Sequence, residues 1–464
     1  MTNAIAATTG LGLVFLTLVV VLAEWGAGAW AIGLQSLTAL VLLLVLAPQV
    51  RRGRQVFVAV GILLTVGLAY QSADWVTSAR VGLEKAAFIG AFFCALSSLR
   101  SVSEGSPAIQ SAGRFLALQP PGRRYIALTF GGQVFALVLN YGAIALLGGL
   151  ATASAKTEQN PEIKRHRTRR MLLAIQRGFA STLPWSPLSF AVAITTAIIP
   201  DTTWASVAVP GMVTGFLMAV TGWALDTIFK PRIAGSPGVR HAPDGNWMLM
   251  LPLLILLITI MGGIGGLYML TGIRVVGLVI LLVPTVALLW VLLQSRSQGG
   301  TRRFRTWLGV YVFTELPAVK GEVVLLMMAG YIGTVGSALL VPAIAASGLD
   351  LSGVPTSFLL VAFVFVIPAA GQIGMNPILA VTLLVPVIPS ADLLGVTPTA
   401  VVVALTAGWA LSGMTSPFTA STLMVGAFGQ VPARHVGLVW NRGYFLITSI
   451  IVSIWVLGFA GLLA

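Results

Sequence analysis

Charge is what this chain of 464 residues has least of: 27 Lys+Arg and 13 Asp+Glu make up 9% of it, against roughly 25% in soluble globular proteins. With 57% of residues hydrophobic, the apolar surface exceeds what one core could bury, so the solvent is lipid and a soluble enzyme is excluded. Cysteine is nearly missing too. Cys94, in the apolar run AFFCALSSL, cannot form an intrachain disulfide and reads as a small packing residue. The three histidines, His166, His241 and His435, fall in stretches that read as polar loops, with no second ligand at metal spacing, which argues against a metal centre or a haem pair. No GxxxxGK[ST] occurs, so ATP-driven pumping is unsupported. An intramembrane lipid or glycosyl transferase would need Asp, Glu or His clustered at one membrane face, and the sequence carries no such cluster. No cofactor is expected.

What the chain has in abundance is long apolar runs. Stretches long enough for about 20 helical residues lie near 9–24, 30–49, 55–72, 83–100, 171–199, 206–228, 247–268, 271–294, 322–345, 396–429 and 440–464, giving an all-α polytopic membrane protein of about 11 spans. The net charge of +14 fits cytoplasmic loops that fix topology and meet anionic lipid headgroups better than it fits nucleic acid. A cytoplasmic N-terminus puts the large basic majority inside, from Arg51, Arg52 and Arg54 through the 164–170 cluster to Arg302, Arg303, Arg305, Arg434 and Arg442. Only Arg80, Lys85 and Arg274 stay outside. The start MTNAIAATTG lacks a basic n-region, so residues 9–24 read as a retained helix rather than a removed signal peptide. A cell inner (plasma) membrane location is expected.

The topology count closes only if 126–151 and 354–390 return to the face they came from, as re-entrant hairpins. The second breaks at GQIGMNP, where Gly371, Gly374 and Pro377 interrupt the helix. Broken backbone is tolerated at membrane depth only when packed in protein or lining a cavity. After each hairpin comes a helix cut in mid-span, at Trp185-Ser186-Pro187-Leu188-Ser189 and at Thr415-Ser416-Pro417-Phe418-Thr419. The cuts are offset by 416 − 186 = 230, and the hairpin asparagines by 376 − 140 = 236. Hairpin then broken helix, twice and opening to opposite faces, is an inverted repeat. The domain reading is 1–125 first scaffold helices, 126–205 first transport half, 206–350 linker and second scaffold helices, 351–430 second transport half and 431–464 C-terminal helix.

A helix cut inside the membrane sets two half-helix ends against each other, one attracting anions through free N–H groups and the other cations through free carbonyls. Pro187 and Pro417 suit the first turn of a second half-helix, with Ser186 or Ser416 before them as N-cap or ligand; Pro377 breaks the second hairpin. Asn140, Ser186, Ser189, Asn376, Ser416 and Thr419 are the expected substrate ligands. Neutral oxygens for a cation such as Na⁺ come from Asn140, Thr182, Ser186, Asn376, Thr415 and Ser416.

Membrane carboxylates are functional candidates by default. Here Glu24, Asp74, Glu84, Asp201, Asp226, Glu315, Glu322, Asp350 and Asp392 mostly sit at span ends. Expected neighbours are headgroup water or Lys230 for Asp226, Lys85 for Glu84 and Lys320 for Glu322, and Na⁺ is preferred to a proton as coupling ion. Residues 101–125 and 295–320 mix Arg with aromatics and aliphatics in amphipathic stretches suited to the membrane interface. They are either arms on which a transport domain slides or simple connecting loops.

The stretch GMNPILAVTLLVPVIPSADLLGVTPTAVVVALTAGWALSGMTSPFTASTLMVG, residues 374–426, resembles the ion transporter superfamily, within it the large membrane subunit of TRAP transporters and the divalent anion/sodium symporters. Residues 126–215 fit the first-half counterpart. The resemblance covers about a third of the chain. It implies one cation site with Asn140 and Ser186, another with Asn376 and Ser416, a substrate between the hairpin tips, an elevator-type movement of a transport domain against a scaffold, and a possible homodimer. The tips read LNYGA and GMNPI where the divalent anion symporters have Ser-Asn-Thr, so their carboxylate clamp does not carry over. TRAP large subunits work with a small subunit and a periplasmic binding protein. The expected function is secondary active transport of a small, carboxylate-like organic anion by Na⁺ symport. The alternatives are an exporter or Na⁺/H⁺-type antiporter of the same superfamily, or a proton-coupled carrier.

Overall fold

The computed structural model describes residues 2–230, 245–295, 301–347 and 353–463. Arg232, His241 and Asp350, and the side chains of Arg302 and Arg303, lie outside the described residues. All regular structure described is helical, the form that satisfies every backbone polar group within one segment in lipid.

In chain order the helices begin with α1 (Thr2–Glu24), α2 (Ala29–Leu46), α3 (Arg52–Gln71), α4 (Trp75–Glu104) and α5 (Pro107–Ala117). Then come α6 (Pro121–Leu139), α7 (Gly142–Lys156), α8 (Pro161–Ala180), α9 (Phe190–Ile198) and α10 (Trp204–Ile228). The middle of the chain forms α11 (Leu251–Thr271), α12 (Val275–Ser295), α13 (Thr301–Val310), the single turn α14 (Leu316–Ala318) and α15 (Lys320–Ala346). The last third holds α16 (Thr356–Gln372), α17 (Pro377–Leu384), α18 (Ala391–Leu394), α19 (Pro398–Thr415), α20 (Ala420–Gly429), α21 (Ala433–His435) and α22 (Arg442–Leu463). Single π-helical turns occupy Tyr311–Glu315 and Val436–Trp440. His166 and His435 therefore sit in helices rather than loops.

Ten helices among the described residues are long and apolar enough to span a membrane, one fewer than the sequence count. The difference is the stretch 171–199. It is divided into α8, which starts ten residues earlier in a basic segment, and the nine-residue α9. Asn160 caps α8, its side chain accepting from the amides of Glu162 and Ile163, with Pro161 in the first turn, which is where proline's missing donor costs nothing.

The chain divides into two compact units. The first comprises residues 1–102, 259–351 and 378–389. Here α15 packs along α3 and α1 along α2. The Tyr311 hydroxyl donates to the carbonyl of Cys94 at 2.8 Å, and Cys94 is itself buried. Ion pairs hold the helix ends: Arg274 with Glu24 at 2.7 Å, Arg80 with Glu84 at 3.2 Å and Arg54 with Glu322 at 2.9 Å. Glu322 thus pairs with Arg54 rather than with its sequence neighbour Lys320, which donates to Gln49 at 3.0 Å. Trp307 of α13 donates to Ser101 at 3.0 Å and packs with Phe304 against Val102, Ala287 and Val291.

The second unit comprises residues 103–258, 352–377 and 390–464. Phe115 of α5 meets Trp247 edge-on at 5.2 Å between ring centroids. Like α13, α5 is a helix rather than a plain loop, and it has a buried face. Helix α19 is buried on all sides from Ala400 to Thr415, as expected for a helix apolar all round. Asp226 is held by Arg170 through two hydrogen bonds of 2.8 and 2.6 Å, so its ion-pair partner is Arg170 rather than Lys230.

The first expected hairpin is α6 and α7, joined at Asn140 with φ +51°. At 15 residues, α7 measures about 22 Å, short of the roughly 30 Å hydrocarbon core. The second differs. Gly374 at φ +88° and Pro377 separate α16, which packs on α19 and α22 in the second unit, from α17, which belongs to the first. There Thr382 lies where a side chain at Gly333 of α15 would have to go.

Candidate functional site

Both helix breaks form where the sequence locates them. In STLPWSPLS the two prolines remove backbone donors, so α8 cannot propagate past Ala180. The chain runs irregularly until Ser189 caps α9, accepting from the Val192 amide at 3.2 Å and donating to the Leu183 carbonyl at 2.8 Å. Ser186 accepts from the Leu188 amide at 3.1 Å and Thr182 donates to the Phe179 carbonyl at 2.7 Å. The cap is therefore Ser189, and Pro187 precedes the second half-helix rather than sitting in its first turn. The half-helix starts later than the sequence suggests, because Ser186 closes a turn on the Leu188 amide and Ser189 folds back to the Leu183 carbonyl before the helix begins.

The second break spans Ser416 to Thr419. Pro417 again lies before the half-helix, and Thr419 stands at the N-cap of α20 without a capping bond. Its hydroxyl turns back to the carbonyls of Gly413 at 3.3 Å and Ser416 at 3.0 Å. Ser421 also donates to the Gly413 carbonyl, and Thr422 to that of Ser416 at 2.5 Å. Thr415 donates to Leu411 within its own helix at 2.8 Å. The cut end of α19 is thus dressed by hydroxyls, each with lone pairs to spare.

Within the second unit the first arm of each repeat lies along the first half of its broken helix, α6 on α8 and α16 on α19. Gln133 of α6 donates to Ser181 at 2.8 Å, and Ser416 donates to the carbonyl of Gly371 on α16 at 2.7 Å. Gly371 is required here, because a methyl group would press on Ser412 and Ser416.

The elements converge. Leu183 of the first break lies over Gly413 beside the second. Tyr141, next to Asn140 at the tip of the first hairpin, packs at a tilt on Phe179 with 4.9 Å between ring centroids. Gly374, two residues from Asn376, lies by the ring of Phe418 in the second break. Ser186, Ser189, Thr182, Thr415 and Ser416 are buried, while Asn140, Asn376, Pro377, Pro417 and Thr419 are half-buried. Asn140 makes no side-chain hydrogen bond to another described residue.

The most unusual group in this unit is one that sequence reasoning missed. Arg177, in the last turn of α8, is 5% exposed and has no carboxylate partner among the described residues. Its Nε donates to Asn441 Oδ1 at 3.2 Å, its Nη1 donates to the Tyr125 hydroxyl at 2.9 Å, and its guanidinium lies 4.2 Å from the centre of the Tyr444 ring. Asn441, fully buried, donates in turn to Gln176 Oε1 at 3.0 Å and to the carbonyls of Met414 and Val436 at 3.3 Å. A lone Arg inside the apolar run LLAIQRGFA was the available signal.

No protein-family model matches the chain, and no curated protein matches it. Solved structures share its fold, among them two transporters. The YdaH transporter of Alcanivorax borkumensis superposes with a TM-score of 0.59 at 16% identity, covering 88% of this chain and 99% of that one. MtrF of Neisseria gonorrhoeae, described as illuminating a class of antimetabolite efflux pumps, superposes with a TM-score of 0.54 at 15% identity, covering 89% and 95%. The chain has the fold of multi-pass membrane transporters.

Proposed function

We propose that this protein is a secondary active transporter of a small organic anion, coupled to Na⁺, and a member of the ion transporter superfamily. The observation that carries the reading is the convergence of two broken helices in one unit, with Leu183 of one break over Gly413 beside the other. Opposed half-helix ends offer N–H groups to an anion and carbonyls to a cation. Asn140, Ser186, Ser189, Asn376, Ser416 and Thr419 are proposed to contact the solute. Asn140, Thr182 and Ser186 would hold Na⁺ in the first half, and Asn376, Thr415 and Ser416 in the second. Na⁺ is favoured over a proton because Asp226, Glu322, Glu24 and Glu84 are each engaged by an arginine. The second unit would carry the solute in an elevator-type cycle with the first as scaffold, in a homodimer in the inner membrane with the N-terminus cytoplasmic.

Export is the second reading, favoured by the fold shared with MtrF, described as one of a class of efflux pumps. The test is thermal stability of the purified protein against small carboxylates, sulfonates and inorganic oxyanions, each in NaCl and in choline chloride, since a ligand of the native state stabilises it by mass action. A shift needing both Na⁺ and one solute is expected. A solute shift indifferent to Na⁺ would remove the coupling claim, and no shift with any solute would overturn the substrate class.

A further inference from the structure

A guanidinium buried in a membrane protein without a counter-charge is costly, and Arg177 has only neutral partners: Tyr125, Asn441 and the Tyr444 ring. The backbone supplies the missing negative charge. Arg177 stands in the last turn of α8, and Asn441 passes its polarity on to Met414, in the last turn of α19. Each helix C-terminus carries roughly half a negative elementary charge, so two ends offset about one positive charge. Two other carbonyls of that turn of α19 are reached from within the chain as well, Ser412 by the Ser416 amide and Gly413 by Thr419 and Ser421.

We propose that Arg177 is a tethered cation serving the carbonyl end of α19, at the position where a helix cut inside the membrane would otherwise draw a mobile monovalent cation. The inference deepens the transporter reading and rests on it in one respect: of the two proposed Na⁺ sites it keeps the first-half oxygens of Asn140, Thr182 and Ser186 and gives the place of the second, at Asn376, Thr415 and Ser416, to the arginine. The packing around the side chain supports a fixed rather than an exchangeable charge. A methyl group added at Gly222 of α10 would come within 3.1 Å of the Tyr125 hydroxyl and 3.3 Å of both Arg177 Cδ and the Tyr444 ring, so the arginine stem is closely enclosed.

Three variants test it without any solute, which keeps its failure separate from that of the transport reading. Arg177→Ala removes the charge and leaves a hole of its shape, Arg177→Met fills the hole without charge, and Arg177→Lys keeps the charge. Thermal stability is measured in choline chloride with and without millimolar methylguanidinium chloride. The expected result is a melting temperature several degrees below wild type for Arg177→Ala, with at least half the loss restored by methylguanidinium in a saturable manner. Wild type and Arg177→Met should show no such gain. Arg177→Met as stable as wild type, or Arg177→Ala gaining no more from methylguanidinium than wild type does, would overturn the proposal. If Arg177→Ala does not accumulate, Arg177→Lys folding where Arg177→Met does not supports a requirement for charge. Arg177→Met folding as well as Arg177→Lys, or neither variant folding, contradicts it.

Discussion

Arg177 Nε and Asn441 Oδ1 meet at 3.2 Å across 264 residues of chain. The bond joins α8, the first half of one broken helix, to the residue that opens α22. Because Asn441 also donates to the Met414 carbonyl, a single amide links the guanidinium to the cut end of the second broken helix.

Replacing Asn441 by Leu leaves Arg177, Gln176 Oε1 and the Met414 carbonyl without this partner in a buried site. The expected cost is about 3 kcal/mol, read as a lower melting temperature. Asn441→Asp keeps the acceptor for Arg177 and adds a counter-charge while giving up the donor to Gln176 Oε1 and to the Met414 and Val436 carbonyls, and the gain at the guanidinium should leave it the less destabilised of the two. Equal losses would assign the effect to packing rather than to the hydrogen bonds.

Backbone contact at the second break makes glycine necessary at Gly437. A methyl group there would overlap the carbonyl of Thr415, and backbone cannot move aside as a side-chain tip can. Gly437→Ala should destabilise by about 2 kcal/mol and abolish any solute-induced thermal shift. Gly443→Ala, with open space around it, is the control and should be neutral within about 0.5 kcal/mol.

How much of this was legible in the sequence follows from the range of each signal. The two breaks and the interruption of the second hairpin were, because Ser-Pro and Gly-x-Asn-Pro act on their own neighbours. The repeat was, because the order and offset of such local signals survive when identity does not. The caps were misplaced by three residues, since whether Ser186 or Ser189 closes the turn depends on how the chain folds back to Leu183. Arg177 was passed over for a different reason, despite its place in the apolar run LLAIQRGFA. A positive-inside reading treats every arginine as a loop marker, and only Asn441, far along the chain, shows that this one is buried. The partners of Glu322 and Asp226 were likewise chosen from sequence neighbours, whereas Arg54 and Arg170 arrive through tertiary packing.

Ser416 separates folding from binding. Its hydroxyl holds the Gly371 carbonyl at 2.7 Å, and Ser416→Ala should cost about 1 kcal/mol of stability while reducing solute affinity at least tenfold. Affinity taken from the solute dependence of the thermal shift checks it. An unchanged affinity would remove Ser416 from the solute site.

Asp226 discriminates between coupling ions. Paired with Arg170 at 2.6 Å, it has the role of a structural anion in the proposed Na⁺-coupled cycle. Asp226→Asn should lower stability yet leave the Na⁺ dependence of solute binding as in wild type. Loss of ion dependence in a folded Asp226→Asn protein, with binding instead following pH, would favour a proton-coupled carrier.

The most direct measurement is uptake of a solute identified by thermal shift into proteoliposomes under an imposed inward Na⁺ gradient, wild type beside Ser186→Ala. Na⁺ coupling through the first break predicts accumulation above equilibrium that collapses when the Na⁺ gradient is removed and is lost in Ser186→Ala of normal stability. Accumulation that persists without Na⁺, or that survives the loss of Ser186 undiminished, would refute that coupling.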